Sequence, residues 1–251
     1  MAPFTCLTED GVLIAGDIFN AHGRVRGRVV LAHGLPSTTP PPADVADDGY
    51  PGLARRIAAV GFDVVIFNYR GTGMSGGHLE IDLWPLDLAA VLNHLDNSGW
   101  RGSQYAVVGF SAGAAAAIVR SMSDDRINPL ITMAAPADFN FLPVNTDPQA
   151  WFALYQEMGM IRQNYQGTAE EWAARFQNLV PREAIGRSRA EQIYIIHGTA
   201  DDVVPVTHAT ILTREAGRKA QQILIAGGIH QMRRDARAVE ILLDLLQRGH
   251  P

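Results

Sequence analysis

The chain has 251 residues, of which 47% are hydrophobic and 19% are charged. This length and apolar content predict one large domain with a well-buried core. The formal net charge of −5 gives no reason to expect a nucleic-acid partner, and the short arginine clusters at 24–28 and 233–237 are interpreted as solvated surface.

Cysteine content and hydropathy limit the chemistry and the compartment. Cys6 is the only cysteine, so an intrachain disulfide and a cysteine-based metal site are excluded. A single thiol fits a reducing compartment, and we predict a cytoplasmic protein. No apolar stretch approaches the roughly 18 residues needed to cross a bilayer, so we expect no stable membrane insertion.

Strand and helix patterns alternate along most of the chain. A weakly alternating hairpin at Thr5–Thr8 and Val12–Asp17 comes first. Short apolar runs then predict six further strands: Val29–Ala32, Asp63–Asn68, Tyr105–Val108, Leu130–Ala134, Ile193–Ile196 and Gln222–Ile225. Helical patterns separate them: Gly52–Val60, Pro85–Asp96, Ala112–Met122, Val206–Ala216 and Asp235–Arg248. Apolar strands separated by helices predict an α/β fold, with a mainly parallel sheet covered on both faces.

Two stretches interrupt this alternation. The segment Pro36–Pro51 contains five prolines, and we predict an irregular loop, because proline fixes φ and removes a backbone donor. Residues 137–190 contain two amphipathic segments, Asp147–Arg162 and Thr168–Val180. We predict that 137–190 is a small helical cap insert over a site, and that 1–136 and 191–251 form the core. The alternative is an extra pair of packed helices without substrate contact.

A G-x-S-x-G motif joins the strand at Tyr105–Val108 to the helix that starts at Ala112, with Ser111 between Gly109 and Gly113. A serine on such a sharp, strained turn needs neighbours that are nearly free of side chain two residues away. The turn holds the hydroxyl at a helix N-terminus, where the N–H of Ala112 points at an oxyanion formed there. We therefore predict that Ser111 is a nucleophile.

A serine nucleophile needs a general base and an orienting carboxylate. His230 alone among the eight histidines follows the last strand in a glycine-rich loop, and it is the predicted base. His33 and His197 each stand at a strand end before a glycine and are interpreted as structural. The acid is Asp201 or Asp202, on the loop after the preceding strand. We prefer Asp201, and expect Asp202 to cap or hydrogen-bond the turn that follows.

Two further glycine-containing loops follow strands. Gly34 allows close backbone approach, so the N–H of Leu35 is the predicted second oxyanion donor beside Ala112. The run Gly71–Gly76 matches the dinucleotide-binding pattern G-x-G-x-x-G, but more loop separates its last glycine from the helix start at Pro85. We reject that interpretation and expect this loop to pack under the nucleophile turn.

These motifs resemble the α/β-hydrolase superfamily from about residue 10 to 248. The matching segments are His33-Gly34, Asn68–Ser75, Gly109–Gly113, His197–Asp201 with Val204-Pro205, and His230. The chain is most similar to short bacterial hydrolases grouped with serine aminopeptidases, monoglyceride lipases and small esterases. This resemblance implies an eight-stranded, mostly parallel sheet. It also implies catalytic Ser111, Asp201 and His230, with Leu35 and Ala112 as oxyanion donors.

The predicted function is hydrolysis of a carboxylic ester or related acyl compound through an acyl-enzyme on Ser111. We expect a small-molecule acyl substrate and no requirement for a metal ion or organic cofactor. Aromatic and methionine side chains in the insert suggest an apolar acyl pocket, although packing of the insert explains at least half of them. These side chains are Trp151, Phe152, Tyr155, Met158, Met160, Trp172 and Phe176.

Two other functions remain open at this stage. An aminopeptidase or amidase would use the same triad, together with an acidic side chain that holds the substrate amine. The candidates for that acid are Asp138, Glu157, Glu170 and Glu171. A non-catalytic α/β-hydrolase that serves as a binding module is disfavoured, because such proteins usually lose a triad member and none is missing here.

Overall fold

A computed structural model describes residues 1–36, 48–100 and 104–249 of the chain. Most of the predicted irregular loop at Pro36–Pro51 lies outside these residues. The rest of the chain carries every predicted strand and helix, and each overlaps an observed one.

The strands of the described residues form one eight-stranded sheet. They are β1 (Ala2–Leu7), β2 (Leu13–Phe19), β3 (Gly27–Ala32), β4 (Phe62–Phe67), β5 (Tyr105–Phe110), β6 (Ile127–Met133), β7 (Ile193–Gly198) and β8 (Ala220–Ile225). Their order is β1-β2-β4-β3-β5-β6-β7-β8. Strand β2 pairs antiparallel with both β1 and β4, and the other pairs are parallel. The predicted eight-stranded, mostly parallel sheet is confirmed.

The helices begin and end close to their predicted positions. They are α1 (Gly49–Ala59), α2 (Trp84–Leu95), α3 (Ala112–Ser121), α4 (Pro148–Glu157), α5 (Ala169–Asn178), α6 (Pro181–Ala184), α7 (Thr207–Ala216) and α8 (Ala236–Gly249). Within the described ranges, none of them has both the length and the apolar character that a bilayer span requires.

The two faces of the sheet carry separate apolar cores, as alternating side-chain direction along a strand requires. On one face, α1 and α8 pack against Val64 of β4 and Val108 of β5. On the other face, α2, α3 and α7 pack against Val65 and Val107, the next residue on β4 and the one before on β5. Helices therefore cover both faces, which explains why the central strands are continuously apolar.

The insert at 137–190 replaces the strand–helix alternation with α4, α5 and α6. Its two longer helices have local N-terminal caps. The Asp147 side chain accepts a hydrogen bond from the N–H of Ala150 (3.1 Å), and Thr168 forms a reciprocal capping box with Glu171. The two amphipathic segments thus form helices, as predicted. The division of the chain into a core and a cap stays a prediction.

The insert is attached to the segment that precedes α2. Trp172 of α5 is fully buried and donates its indole N–H to the carbonyl of Leu79 (2.6 Å). Leu79 in turn donates its backbone N–H to the carbonyl of Met160 (2.8 Å). Arg175 forms ion pairs with Glu80 (2.8 Å) and Asp82 (2.9 Å). These contacts hold α5 against residues 79–82.

Candidate active site

Ser111 stands between the last residue of β5 and the first residue of α3. Its backbone has a φ of +50° and a ψ of −122°, a conformation that residues with a side chain rarely adopt. Holding a residue in such a region costs about 1–3 kcal/mol. The Ser111 N–H donates to the carbonyl of Met133 (2.8 Å), which fixes the turn on the neighbouring strand β6.

The two glycines of the motif are required by close packing. A Cβ at Gly109 would collide with the backbone of Ala114, and a Cβ at Gly113 would collide with the carbonyl oxygen of His33. The lack of a side chain at both positions lets α3 cross directly over β5 and the end of β3. This arrangement is the one that the motif predicted.

The loop after β3 reaches the nucleophile turn at Gly34. A Cβ at this position would lie 2.9 Å from the Cβ of Ser111. The following residue, Leu35, has a backbone N–H without a hydrogen-bond acceptor in the part of the chain that the structure describes. Ala112 is the first residue of α3, so its N–H has no acceptor within the helix. Both predicted oxyanion donors therefore belong to segments that touch Ser111 and have no acceptor among the described residues.

His33 fixes the peptide that carries one of these donors. Its Nδ1 lies 2.7 Å from the carbonyl oxygen of Gly34, and its Nε2 accepts a hydrogen bond from the N–H of Tyr69 (3.2 Å). These partners require a proton on Nδ1 and a lone pair on Nε2. Burial lowers the pKa of His33, which agrees with that neutral tautomer. The interpretation of His33 as a structural residue matches this geometry.

His230 lies between Ser111 and Asp201. Its Nε2 is 3.1 Å from the Ser111 Oγ, and its Nδ1 is 2.9 Å from the Asp201 Oδ2 and 3.1 Å from Oδ1. The His230 side chain is 18% exposed, whereas the Asp201 side chain is fully buried. The three residues come from the loops after β5, β7 and β8. The fold therefore brings them into one hydrogen-bonded chain.

The two adjacent aspartates have different surroundings. Besides facing His230, the Asp201 Oδ1 accepts hydrogen bonds from the N–H groups of Val203 (2.9 Å) and Val204 (2.8 Å). Asp202 is exposed, and its side chain has no hydrogen-bond partner among the described residues. The expectation that Asp202 stabilises this turn is wrong. Asp201 does so, because a carboxylate at the first position of a turn reaches the N–H groups two and three residues later.

His197 makes a second histidine contact to Asp201. It is fully buried at the end of β7, and its Nε2 lies 3.2 Å from the Asp201 Oδ2 and 2.9 Å from the carbonyl oxygen of Val204. Burial by itself would raise the pKa of Asp201, but hydrogen bonds from His197 and His230 outweigh it and hold the pKa well below its usual range. Sequence reasoning missed this contact. The four-residue spacing from Asp201 was the only local signal for it.

A cavity of about 950 Å³ opens at Ser111 and is also lined by Leu35, Ala112 and His230. The insert contributes an apolar part of the lining, made by Phe139, Phe141, Leu142, Trp151, Leu154 and Tyr155. Polar lining residues come from other segments of the chain: Asp17, Asn68, Gln231, Arg233 and Arg234.

Only some of the aromatic and methionine side chains of the insert face this cavity. Of those named from the sequence, Trp151 and Tyr155 line it. Trp172 instead packs in the interior of the insert between the rings of Phe152 and Phe176. Met158, at the end of α4, is exposed. The packing explanation therefore holds for most of the set, and Phe139 and Phe141 are lining residues that sequence reasoning did not name.

The acidic residues proposed to hold a substrate amine do not line the cavity. Asp138 forms an ion pair with Arg182 (3.3 Å), and Glu171 caps α5. Glu170 accepts a hydrogen bond from Gln149 on α4. Glu157, the last residue of α4, is exposed and is likewise absent from the lining.

The glycine-rich run Gly71–Gly76 is a loop, and α2 begins only at Trp84. Its hydrogen bonds run to β2 rather than to the nucleophile turn. The N–H of Gly76 donates to the carbonyl of Leu13 (2.7 Å), and the Ser75 Oγ accepts from the N–H of Ala15 (3.0 Å). These hydrogen bonds attach the loop to the edge hairpin, whereas the Thr72 Oγ1 lies 3.2 Å from the Nε2 of His33, in the loop that reaches the nucleophile turn.

Comparison with known proteins identifies similar chains. A family model described as the alpha/beta hydrolase fold matches residues 27–180. An esterase from Exiguobacterium antarcticum is 16% identical, with a TM-score of 0.73 over 98% of this chain and 100% of that chain. A malate-bound thermophilic esterase from Thermogutta terrifontis is 16% identical, with a TM-score of 0.72 over 100% of both chains.

A bromoperoxidase from Bacillus anthracis is 19% identical, with a TM-score of 0.72 over 98% of this chain and 100% of that chain. A search of curated proteins finds no match for this chain. At such identities, likeness to solved structures shows the fold, whereas activity depends on the groups placed in the site.

Proposed function

This chain belongs to the α/β-hydrolase fold family, as its motifs predicted, and from that premise we propose that it is a serine hydrolase that cleaves carboxylic esters. The observation that carries the proposal is the chain of contacts from the Ser111 Oγ to His230 (3.1 Å) and on to Asp201 (2.9 Å). A serine, a base that reaches it and a carboxylate that orients the base are the groups that acyl transfer requires.

In the proposed reaction, the His230 Nε2 accepts the hydroxyl proton as the Ser111 Oγ attacks the ester carbonyl. Asp201 accepts a hydrogen bond from the Nδ1–H of His230, keeps the imidazole ring in the required tautomer and stabilises the imidazolium. The proton then passes from Nε2 to the leaving alkoxide, and the alcohol departs. His230 then deprotonates a water, which attacks the acyl carbon of the acyl-enzyme. The bond to the Ser111 Oγ breaks, the acid is released, and the His230 imidazolium returns its proton to the Ser111 Oγ.

The backbone N–H groups of Leu35 and Ala112 are the proposed donors to the tetrahedral oxyanion. Support comes from the contact between Gly34 and Ser111 and from the position of Ala112 at the start of α3. Loss of one such donor costs on the order of 10² to 10³ in rate. Neither the formation nor the hydrolysis of the acyl-enzyme uses a metal ion or an organic cofactor.

We propose that residues 137–190 act as a cap and that the apolar part of the lining holds the acyl group. Phe139, Trp151 and Tyr155 contribute aromatic side chains to the cavity, where burial of an acyl chain is favourable. The proposed partner is therefore a small acyl compound. The cytoplasmic location of the protein stays a prediction from the single cysteine.

A fluorophosphonate probe tests the nucleophile, since it forms a covalent bond only with an activated serine. We expect one adduct, mapped by mass spectrometry to Ser111, and none in the Ser111→Ala variant. An unlabelled Ser111 in folded protein would contradict the proposal and would favour the non-catalytic binding module. Turnover of a series of p-nitrophenyl esters with increasing acyl length then shows how long an acyl chain the cavity accepts.

Amide cleavage is the second candidate, and one observation favours it. Asp17 is one of the lining residues of the cavity, and its side chain has no hydrogen-bond or ion-pair partner among the described residues. Such a group can hold a substrate amine. Comparison of p-nitrophenyl esters with aminoacyl-p-nitroanilides separates the two candidates. Faster turnover of the anilides in the wild type, lost in Asp17→Asn, would replace the ester proposal.

A further inference from the structure

His197 lies behind the acid of the proposed triad and is not itself one of the residues that line the cavity. Its side chain is fully buried. Its Nε2 approaches two oxygen atoms, the carbonyl oxygen of Val204 at 2.9 Å and the Asp201 Oδ2 at 3.2 Å. This one imidazole nitrogen therefore connects the end of β7 to both ends of the loop that carries the acid.

The partners of His197 determine its tautomer. A backbone carbonyl and an ionised carboxylate can only accept hydrogen bonds, so Nε2 must carry a proton. The Nδ1 of His197 is buried and has no hydrogen-bond partner in the part of the chain that the structure describes. The Nε2–H is thus the only polar contact of the ring, and it is directed at Asp201 and Val204.

The Asp201 carboxylate receives donors on both oxygens. The N–H groups of Val203 and Val204 donate to Oδ1, whereas His230 and His197 meet at Oδ2. Rotation of the carboxylate away from His230 would break the contact with His197. We propose that His197 is a positioning residue: its Nε2–H holds the Asp201 carboxylate in the orientation that receives His230. This role rests on the proposed serine-hydrolase function.

The same contact affects the basicity of His230. Asp201 stabilises the His230 imidazolium only while its carboxylate faces the ring. Loss of the His197 donor should let the carboxylate turn away and should therefore make His230 less basic. The acidic limb of the kcat/KM profile, which reports protonation of the free base, should then move to lower pH.

The other titratable groups near His197 come from α7 and the insert. His208 of α7 accepts the N–H of Ala137 at Nδ1 (3.0 Å), and burial lowers its pKa. Asp138 of the insert lies close enough to raise that pKa and is paired with Arg182. Neither group donates to Asp201, so substitution of His197 removes the only side-chain donor besides His230 among the described residues.

A matched pair of variants tests this role. In His197→Gln, the side-chain amide can place a donor near the position of Nε2, whereas His197→Met has a similar length and shape without one. We expect His197→Gln to keep kcat within about 3-fold of the wild type, with an unchanged pH profile. We expect His197→Met to lose about 10- to 100-fold in kcat with little change in KM, and to shift the acidic limb to lower pH.

A wild-type pH profile in His197→Met would overturn the role, as would equal losses in both variants with no shift of the limb. Fluorophosphonate labelling of wild-type Ser111 is measured in parallel. If it fails, the proposed function itself fails; if it succeeds while His197→Met behaves as wild type, only the positioning role is overturned.

A measurement on the wild type covers the case in which His197→Met does not fold. Nitrogen NMR of ¹⁵N-histidine protein reports which ring nitrogen of His197 carries the proton. A proton on Nε2, whose signal moves when His230 becomes protonated, supports the role. A proton on Nδ1 alone, or a signal that does not respond to His230, overturns it.

Discussion

The nucleophile turn and the insert at 137–190 differ in how narrowly their structure limits the sequence. At the turn, Gly34, Gly109 and Gly113 face neighbouring atoms so closely that a Cβ would clash. In the insert, Phe176 packs as a buried ring that another large apolar side chain of similar volume can replace. The proposed catalytic groups thus lie where backbone segments are in direct contact, whereas the proposed substrate selectivity depends on the packed side chains of the insert.

The largest effect that tests this comparison is expected for Ser111→Gly. We expect kcat to fall on the order of 10⁵- to 10⁶-fold, because the nucleophile is lost. The free energy of unfolding should rise by about 1 kcal/mol, because glycine tolerates the positive φ of this turn. Steady-state kinetics and denaturant unfolding measure the two effects.

Ser111→Ala is the matched variant, since it loses the hydroxyl and keeps a side chain at the same φ. Its activity should be equally low, without the gain in stability. Equal stability of the glycine and alanine variants would show that the turn stores no strain.

The next effect separates Asp201 from Asp202. Asp201→Asn should lower kcat by about 10⁴-fold, because the amide favours the wrong tautomer of His230. Asp202→Asn changes an exposed side chain and should stay within about 2-fold of the wild type. If Asp202→Asn loses the activity instead, the assignment of the acid is wrong.

A smaller and more selective effect is expected at the insert. Trp151→Ala removes a large apolar side chain from the cavity lining, so kcat/KM should fall about 10-fold for p-nitrophenyl hexanoate and change little for the acetate. Met158→Ala is the control, because Met158 is exposed at the end of α4 and does not line the cavity. Equal losses on both esters would mean that Trp151 acts on the chemistry rather than on substrate choice.

The smallest effect is the pH dependence of stability. The pKa of Asp201 lies below its usual range in the folded state, so its ionised form stabilises the fold at pH 7. That contribution is present above the unfolded pKa of about 4 and is lost as the pH falls towards the folded pKa. Urea unfolding at pH 7, 5 and 3 should show the advantage of the wild type over Asp201→Asn shrinking at the lowest pH.

Trp151→Ala provides the contrast for this measurement. Any destabilisation that it causes comes from lost packing, which does not titrate over this range, so it should be similar at each pH. A pH-independent difference between the wild type and Asp201→Asn would show that the carboxylate is not held in its charged form.

The sequence by itself determined the succession of strands and helices along the chain, the helices on both faces and the position of Ser111 between a strand and a helix. These features depend on local patterns: apolar runs of strand length, helical periodicity, and glycines that leave room at one turn. A pattern of this kind is complete within about ten residues of chain. It can therefore be recognised without knowing which residues contact that segment in the folded protein.

Tertiary structure decided which groups surround Asp201 and which insert residues face the cavity. The contact with His197 depends on how the loop after β7 folds back, and Phe139 faces the cavity only because the insert leaves β6 beside Ser111. The fully buried Arg70, paired with Asp10 (2.7 Å) and Asp87 (2.8 Å), joins segments far apart in the chain. Such contacts join residues that are separated in the sequence, so local sequence patterns do not predict them.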